Sequence, residues 1–150
     1  MPTEKKPRIR VLFVCTGNSC RSQMAEGLLQ HIAGNEFEVH SGGTRPWILH
    51  PLAVKAMKER KVDISDQYSK SVDNFLGQSF DYVITVCDDA KETCPVFPGQ
   101  HTKIHWSVHD PVNAIGTLEE RMKVFRRVRD DLEGRIREWL KKRKEESAKA

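Results

Sequence analysis

Cys15, Arg21 and Ser22 stand in one short segment, Cys-Thr-Gly-Asn-Ser-Cys-Arg-Ser, which follows the apolar run at residues 9–14. A cysteine at the end of a strand, an arginine six positions on, and the residues Thr16, Gly17, Asn18, Ser19 and Cys20 between them describe an anion cradle. Backbone N–H groups of the loop and of the first helical turn point inward, the helix dipole is positive there, and small side chains let the backbone curl around a tetrahedral anion. Arg21 adds a planar fork for two oxygens. The same field is expected to depress the Cys15 pKa and so to supply a thiolate, the reactive form of the nucleophile. Ser22 is placed to donate a hydrogen bond to that sulfur, and Asn18 to brace the loop through its amide. The chemistry is attack by sulfur on an oxyanion. Read instead as a buried thiol beside an ordinary βα turn, Cys15 leaves Arg21 and Ser22 at this spacing unexplained.

Cys87 and Cys94 flank the segment Asp-Asp-Ala-Lys-Glu-Thr, just after the apolar run at 81–86. Seven positions on a regular helix are two turns, about 10 Å of rise, whereas a disulfide tolerates roughly 7 Å between Cα atoms. The two thiols can bond only if the segment bends or unwinds. Asp88-Asp89 at its start and Pro-Val-Phe-Pro-Gly after it suit a movable segment. On the residues alone the two are equally readable as unrelated thiols, one of them in the core. A zinc site built with His101, His105 and His109 is disfavoured, because structural zinc sites pair their cysteines only about two to four residues apart. Asp110, ahead of Pro111, reads by itself as a turn residue or as an acid.

These residues need elements to hold them. A chain of 150 residues falls in the size range of one domain. That domain is read over 1–150, with an ordered core of about 8–142 and flexible ends at 1–7 and 143–150. Hydrophobic residues at 38% and charged residues at 31% exclude a disordered or fibrous chain. No stretch approaches the roughly 20 apolar residues of a membrane span, and MPTEKKPRIR runs into VLFVC without a secretory signal, so a cytoplasmic address is expected. Four cysteines in that compartment are expected to be reduced thiols rather than structural disulfides. The net charge of +4 concentrates at the chain ends and in a helix interleaved with acids, which suits a solvated face and a small anionic substrate better than nucleic acid.

The run at 9–14 reads as a buried central strand. A helix from Arg21 to about Ala33 follows, with Met24, Leu28 and Ile32 at helical spacing and Gly34-Asn35 as its stop. A second strand spans 37–41, and Pro51 opens a helix through Arg60 with Leu52, Ala53, Ala56 and Met57 inward. Residues 81–86 form a third strand and 104–106 a weaker fourth. The final helix carries Leu118, Met122, Phe125, Val128, Leu132, Ile136 and Trp139 at steps of three or four. Strands alternating with helices predict a single α/β domain, a four-stranded parallel sheet with helices on both faces.

The Cys15–Ser22 segment after an apolar strand, joined by the later Asp110-Pro111, resembles the low-molecular-weight protein tyrosine phosphatases. The resemblance implies that Cys15 attacks the central atom, Arg21 binds the equatorial oxygens and Asp110 is the general acid. Those phosphatases usually carry tyrosines after the Asp-Pro to stack on the phosphotyrosine ring, whereas this chain reads Asp-Pro-Val-Asn-Ala-Ile-Gly. With Cys87, Cys94 and the His109-Asp110-Pro111 segment added, the chain is similar to the thioredoxin-coupled arsenate reductases from Ile9 to the last helix. That likeness implies arsenate as substrate, phosphate as a competing anion and thioredoxin as reductant. It also implies the roles: Cys15 forms the thiol–arsenate adduct, Cys87 attacks it and releases arsenite, and Cys94 resolves the pair as a Cys87–Cys94 disulfide. Cys20 is read as packing. The alternatives are a phosphatase of this fold and a non-enzymatic oxyanion sensor or phosphocarrier. No cofactor is expected, and the chain is expected to be a monomer. Some relatives bind a potassium ion beside the loop; Asn18, Glu26 and Ser41 match ligands of that site, but Lys70 stands where an acid aligns. No metal is therefore assigned, and a lysine ammonium in place of the ion is the expectation.

Overall fold

A computed structural model of the protein describes residues 7–149; the remainder of the ends read as flexible, 1–6 and 150, lies outside the described residues. Strand β1, Ile9–Cys15, is the centre of the molecule. Val11, Leu12, Phe13 and Val14 are fully buried, which a β-branched and aromatic run achieves only when both faces of its sheet are covered. It pairs in parallel with β2, Phe37–Gly43, on one side and with β3, Tyr82–Thr85, on the other; β4, Thr102–His105, extends β3 in parallel. The order is β2-β1-β3-β4. The chain therefore leaves β1 in one direction and returns to β3 in the other, and the reversal opens a crevice at the carboxyl ends of β1 and β3. Cys15 ends β1, and Cys87 follows β3 by two residues.

Helix α1, Arg21–Ala33, and helix α4, Leu118–Lys149, share one face of the sheet. There Trp139 packs on Phe37 and Tyr82, with ring centroids 5.4 and 5.0 Å apart. Helix α2, Pro51–Lys58, buries Leu52, Ala53, Ala56 and Met57 and packs against α4 and α1. The opposite face is closed by a 3-10 turn at Val72–Phe75, by the short helix α3, Asp88–Thr93, and by the ring cluster of Phe75, Phe80 and Phe97. The sheet is thus covered on both faces as expected, though the second cover is made of short pieces and aromatic side chains.

Helix α2 stops at Lys58 rather than Arg60, β3 is one residue shorter at each end than 81–86, and β4 lies at Thr102–His105 rather than 104–106; the boundary of β2 differs for a steric reason. Strand β2 runs on to Gly43, where a Cβ would come 2.5 Å from the Thr16 carbonyl oxygen; only glycine lets β2 lie this close to the loop. Residues 143–149, read as a frayed end of the last helix or a tail, continue α4. Arg143 extends the packing past Trp139, with its guanidinium 5.0 Å from the Phe37 ring and 5.4 Å from that of Tyr82. At its start α4 is held by a reciprocal cap, in which Glu120 N–H donates to Thr117 Oγ1 at 3.1 Å and Thr117 N–H to the Glu120 carboxylate at 3.2 Å. Among the described residues no helix is long and apolar enough to cross a membrane.

Candidate active site

The loop between β1 and α1 is shaped by what its carbonyls do. Thr16 O accepts from Arg45 N–H, Gly17 O from Trp47 N–H, and Ser19 O from His50 N–H, at 2.8, 3.0 and 3.0 Å. Ser69 Oγ also donates to Gly17 O at 2.9 Å. With its oxygens committed outward, the loop presents its N–H edge to the interior, and Asn18 N–H donates to Cys15 Sγ at 3.2 Å. The α1 N-cap, Cys20, has no side-chain cap, so the helix terminus keeps its donors for the cradle.

Asn18 pins this shape. Its φ of 47° is left-handed, a region asparagine tolerates better than most residues. Its Nδ2 donates to Ser22 Oγ at 2.7 Å and Ser41 Oγ at 3.0 Å, while its Oδ1 accepts from Lys70 N–H at 2.8 Å and Gln23 Nε2 at 3.0 Å. All four bonds of a primary amide are made, which fixes loop, helix and β2 relative to one another.

Ser22 Oγ lies 2.8 Å from Cys15 Sγ, as the spacing predicts. The electrostatics differ from expectation. Burial pushes the Cys15 thiol up from its ordinary value, and the Ser22 hydroxyl, the Ser22 N–H and the Arg21 charge pull it down without cancelling that effect. A helix terminus and a guanidinium favour a thiolate, but complete loss of hydration disfavours any sulfur anion, and here burial wins.

Arg21 bridges the loop to the downstream segment. Its Nη1 donates to Val108 O at 3.0 Å and its Nη2 lies 3.3 Å from Asp110 Oδ2. Asp110 Oδ1 accepts from Val112 N–H at 3.0 Å, capping the 3-10 turn Pro111–Asn113. Asp110 therefore caps this turn and at the same time faces Arg21 of the loop, so its place in the turn does not conflict with the reading as an acid. Cys87, buried at the N-cap of α3, lies 3.2 Å from Thr16 Oγ1, so a second thiol is seated on the loop. Arg21, Cys87, Ser107 and Asp110 line one polar crevice of about 390 Å³. A larger cavity, about 920 Å³, lies at the other end of the strands near Ile9, Thr102 and Arg143, away from the cysteines.

Cys94 is not brought to this crevice. It caps the far end of α3, half-buried, with its thiol pushed up by burial and pulled down by Lys103. All four cysteines are free thiols. Both ring nitrogens of His105 are engaged, by Thr85 Oγ1 at 2.7 Å and Asp88 Oδ1 at 2.8 Å.

Cys20 points into packing, with its Sγ 3.8 Å from Ser19 Oγ and its pKa pushed up to about 12 by burial. Because that value lies above the ordinary 9.0, the native state keeps a proton that the unfolded chain loses. The associated stability is complete below about pH 9 and is lost as the pH rises toward about 12. Cys20→Ser is expected to flatten the fall of melting temperature across that range while leaving turnover near normal. Identical alkaline slopes in the two proteins would show that Cys20 is not held this way.

The region where a cation would be expected does not fit one. Lys70 Nζ lies 3.7 Å from Glu26 Oε1 and donates to Tyr68 O at 3.1 Å. Ser41 donates to Glu26 at 2.6 Å, and the Asn18 oxygen is already committed to two N–H donors. A lysine ammonium thus supplies the positive charge among these oxygens. Activity and melting temperature should then be insensitive to exchanging sodium for potassium at fixed ionic strength. A potassium-specific rise in melting temperature would overturn this reading.

Ser69 and the 44–50 segment shape the cradle without any local signal in the sequence, because each reaches it through hydrogen bonds across the fold, while Gln23 reaches Asn18 from the first turn of α1.

Comparison with known proteins identifies the family and several relatives. The family model of low molecular weight phosphotyrosine protein phosphatase matches residues 10–149. An arsenate reductase of Shouchella clausii is 48% identical over 129 residues, covering 86% of this chain and 93% of that protein. A solved arsenate reductase in the phosphate binding state superposes with a TM-score of 0.72 at 33% identity, over 89% of this chain and 98% of its own. The thioredoxin-dependent arsenate reductase of Corynebacterium glutamicum superposes with a TM-score of 0.68 at 36% identity, over 91% of this chain and 62% of its own.

Proposed function

The chain belongs to the low molecular weight phosphotyrosine protein phosphatase family, and from that premise we propose that it is an arsenate reductase that regenerates itself through a three-thiol relay. The observation that carries the proposal is the second thiol on the loop: a phosphatase needs one sulfur at the cradle, whereas here Cys87 is hydrogen-bonded 3.2 Å from Thr16. The relatives named as arsenate reductases support the substrate, and the thioredoxin-dependent neighbour supports the reductant.

Arsenate is a tetrahedral dianion and enters the N–H cradle opposite Arg21. The buried Cys15 thiol passes its proton to an arsenate oxygen, which removes the burden of a resting thiolate in a dry site. Sulfur attacks arsenic, Asp110 protonates the departing oxygen, and water leaves. Cys87, as thiolate, then attacks Cys15 Sγ. The S–As bonding pair passes to arsenic, As(V) becomes As(III), and arsenite takes up protons and departs from a Cys15–Cys87 disulfide. Cys94 attacks Cys87, the Cys15 thiolate leaves, and the Cys87–Cys94 disulfide accepts two electrons and two protons from thioredoxin. A phosphate adduct has no such two-electron exit and can only hydrolyse, so discrimination between the two anions lies in the redox step.

Arsenite production coupled to oxidation of thioredoxin is the test, with phosphate as a competing anion. Hydrolysis of phosphoesters without any thioredoxin-dependent arsenite would make the protein a phosphatase. One feature favours that second activity: Trp47, 62% exposed, is tied through its N–H to Gly17 O at the loop and offers an apolar surface there.

A further inference from the structure

Asp88 follows Cys87 directly and is the first residue of α3. Its Oδ1 lies 2.8 Å from His105 Nε2, and Ser107 Oγ donates to its Oδ2 at 3.4 Å. His105 Nδ1 lies 2.7 Å from Thr85 Oγ1, and Thr85 is the β3 residue in register with His105 on β4. The first residue of α3 is thereby tied sideways to β4 at the point where the chain leaves β3. The relay steps above use none of these three side chains.

We propose that Thr85, His105 and Asp88 form a positioning clasp that belongs to the reduced enzyme, holding α3 helical with Cys87 against Thr16, and that it opens when Cys87 pairs with Cys94. The proposal rests on the relay reading and deepens it. A helical path from Cys87 to Cys94 rises about 10 Å, beyond the roughly 7 Å that a disulfide allows between Cα atoms. Closing that disulfide requires the Asp88–Thr93 turns to unwind, and the backbone of Asp88 moves with them. A contact present in only one of two states shifts the equilibrium toward that state by its own free energy. The clasp therefore favours the dithiol, formed when the Cys87–Cys94 bond breaks with uptake of two electrons and two protons from an external dithiol. It makes the spent enzyme easier to reduce.

The test is the reduction potential of the Cys87–Cys94 couple in the whole protein, equilibrated with oxidised and reduced dithiothreitol, alkylated and read by mass spectrometry. Asp88→Ala and His105→Ala are each expected to shift the dithiol–disulfide equilibrium about threefold to tenfold toward the disulfide, about 14 to 30 mV more negative at 29.6 mV per tenfold. The double variant should shift no further than either single one, and Asp88→Asn, which keeps an acceptor oxygen, should shift less than Asp88→Ala. Asp88 lines the crevice that also holds Arg21, Cys87 and Asp110, so the potential of the couple, rather than the rate with arsenate, is the readout that isolates the clasp. Unmoved potentials in both single variants, or shifts that simply add, would overturn the clasp. If the unmutated protein forms no Cys87–Cys94 disulfide at all, the relay reading fails first and the clasp with it.

Discussion

Cys94→Ser is expected to release one arsenite per chain and then stop, with a Cys15–Cys87 disulfide accumulated in the protein. The reason is access. Cys15 is 2% and Cys87 3% exposed, so a disulfide between them lies beneath the surface that a protein reductant can reach. Cys94 sits half-buried at the outer end of α3 and can carry the bond outward once the helix unwinds. An intramolecular thiol also replaces a bimolecular encounter, so its loss should slow steady-state turnover by about 100-fold or more. The companion Cys87→Ser should stop the reaction before any arsenite appears, because no sulfur is then placed to take the Cys15 side of the adduct. Single-turnover arsenite measurement and non-reducing peptide mass spectrometry read both outcomes. Sustained thioredoxin-driven turnover by Cys94→Ser would sink the three-thiol order and point to direct reduction of the adduct.

Asp110→Asn is expected to slow adduct formation by about 10²–10⁴-fold, the usual contribution of a positioned general acid. The substitution separates the two roles of this residue. Asparagine keeps a side-chain oxygen for the Val112 N–H and so preserves the cap of the Pro111–Asn113 turn. It has no proton of suitable acidity to give the departing oxygen, and it removes the charge paired with Arg21 at 3.3 Å. Arg21 retains its bond to Val108 O, which limits the structural cost. Melting temperature should therefore change little while the single-turnover rate collapses. Near-normal rates in Asp110→Asn would leave Asp110 with the turn alone.

Features encoded within a few residues of one another are legible in the amino-acid order. The run at 9–14, the small loop and the opening of α1 are contiguous, so strand, cradle and the Cys15–Ser22 hydrogen bond were legible from residue type and spacing. The amphipathic steps of α4 and the separation of Cys87 from Cys94 across a short helix were legible for the same reason. The remaining features depend on strand order and burial, which no local pattern states. Placing β3 beside β1 at the reversal of the sheet seats Cys87 on Thr16, although 71 positions separate them. The same packing brings Ser69 and the Lys70 N–H to the loop and Asp110 to Arg21. It also reverses the expected direction of the Cys15 pKa: the dipole and Arg21 are local and visible in the sequence, but the desolvation that outweighs them comes from every element packed over the end of β1.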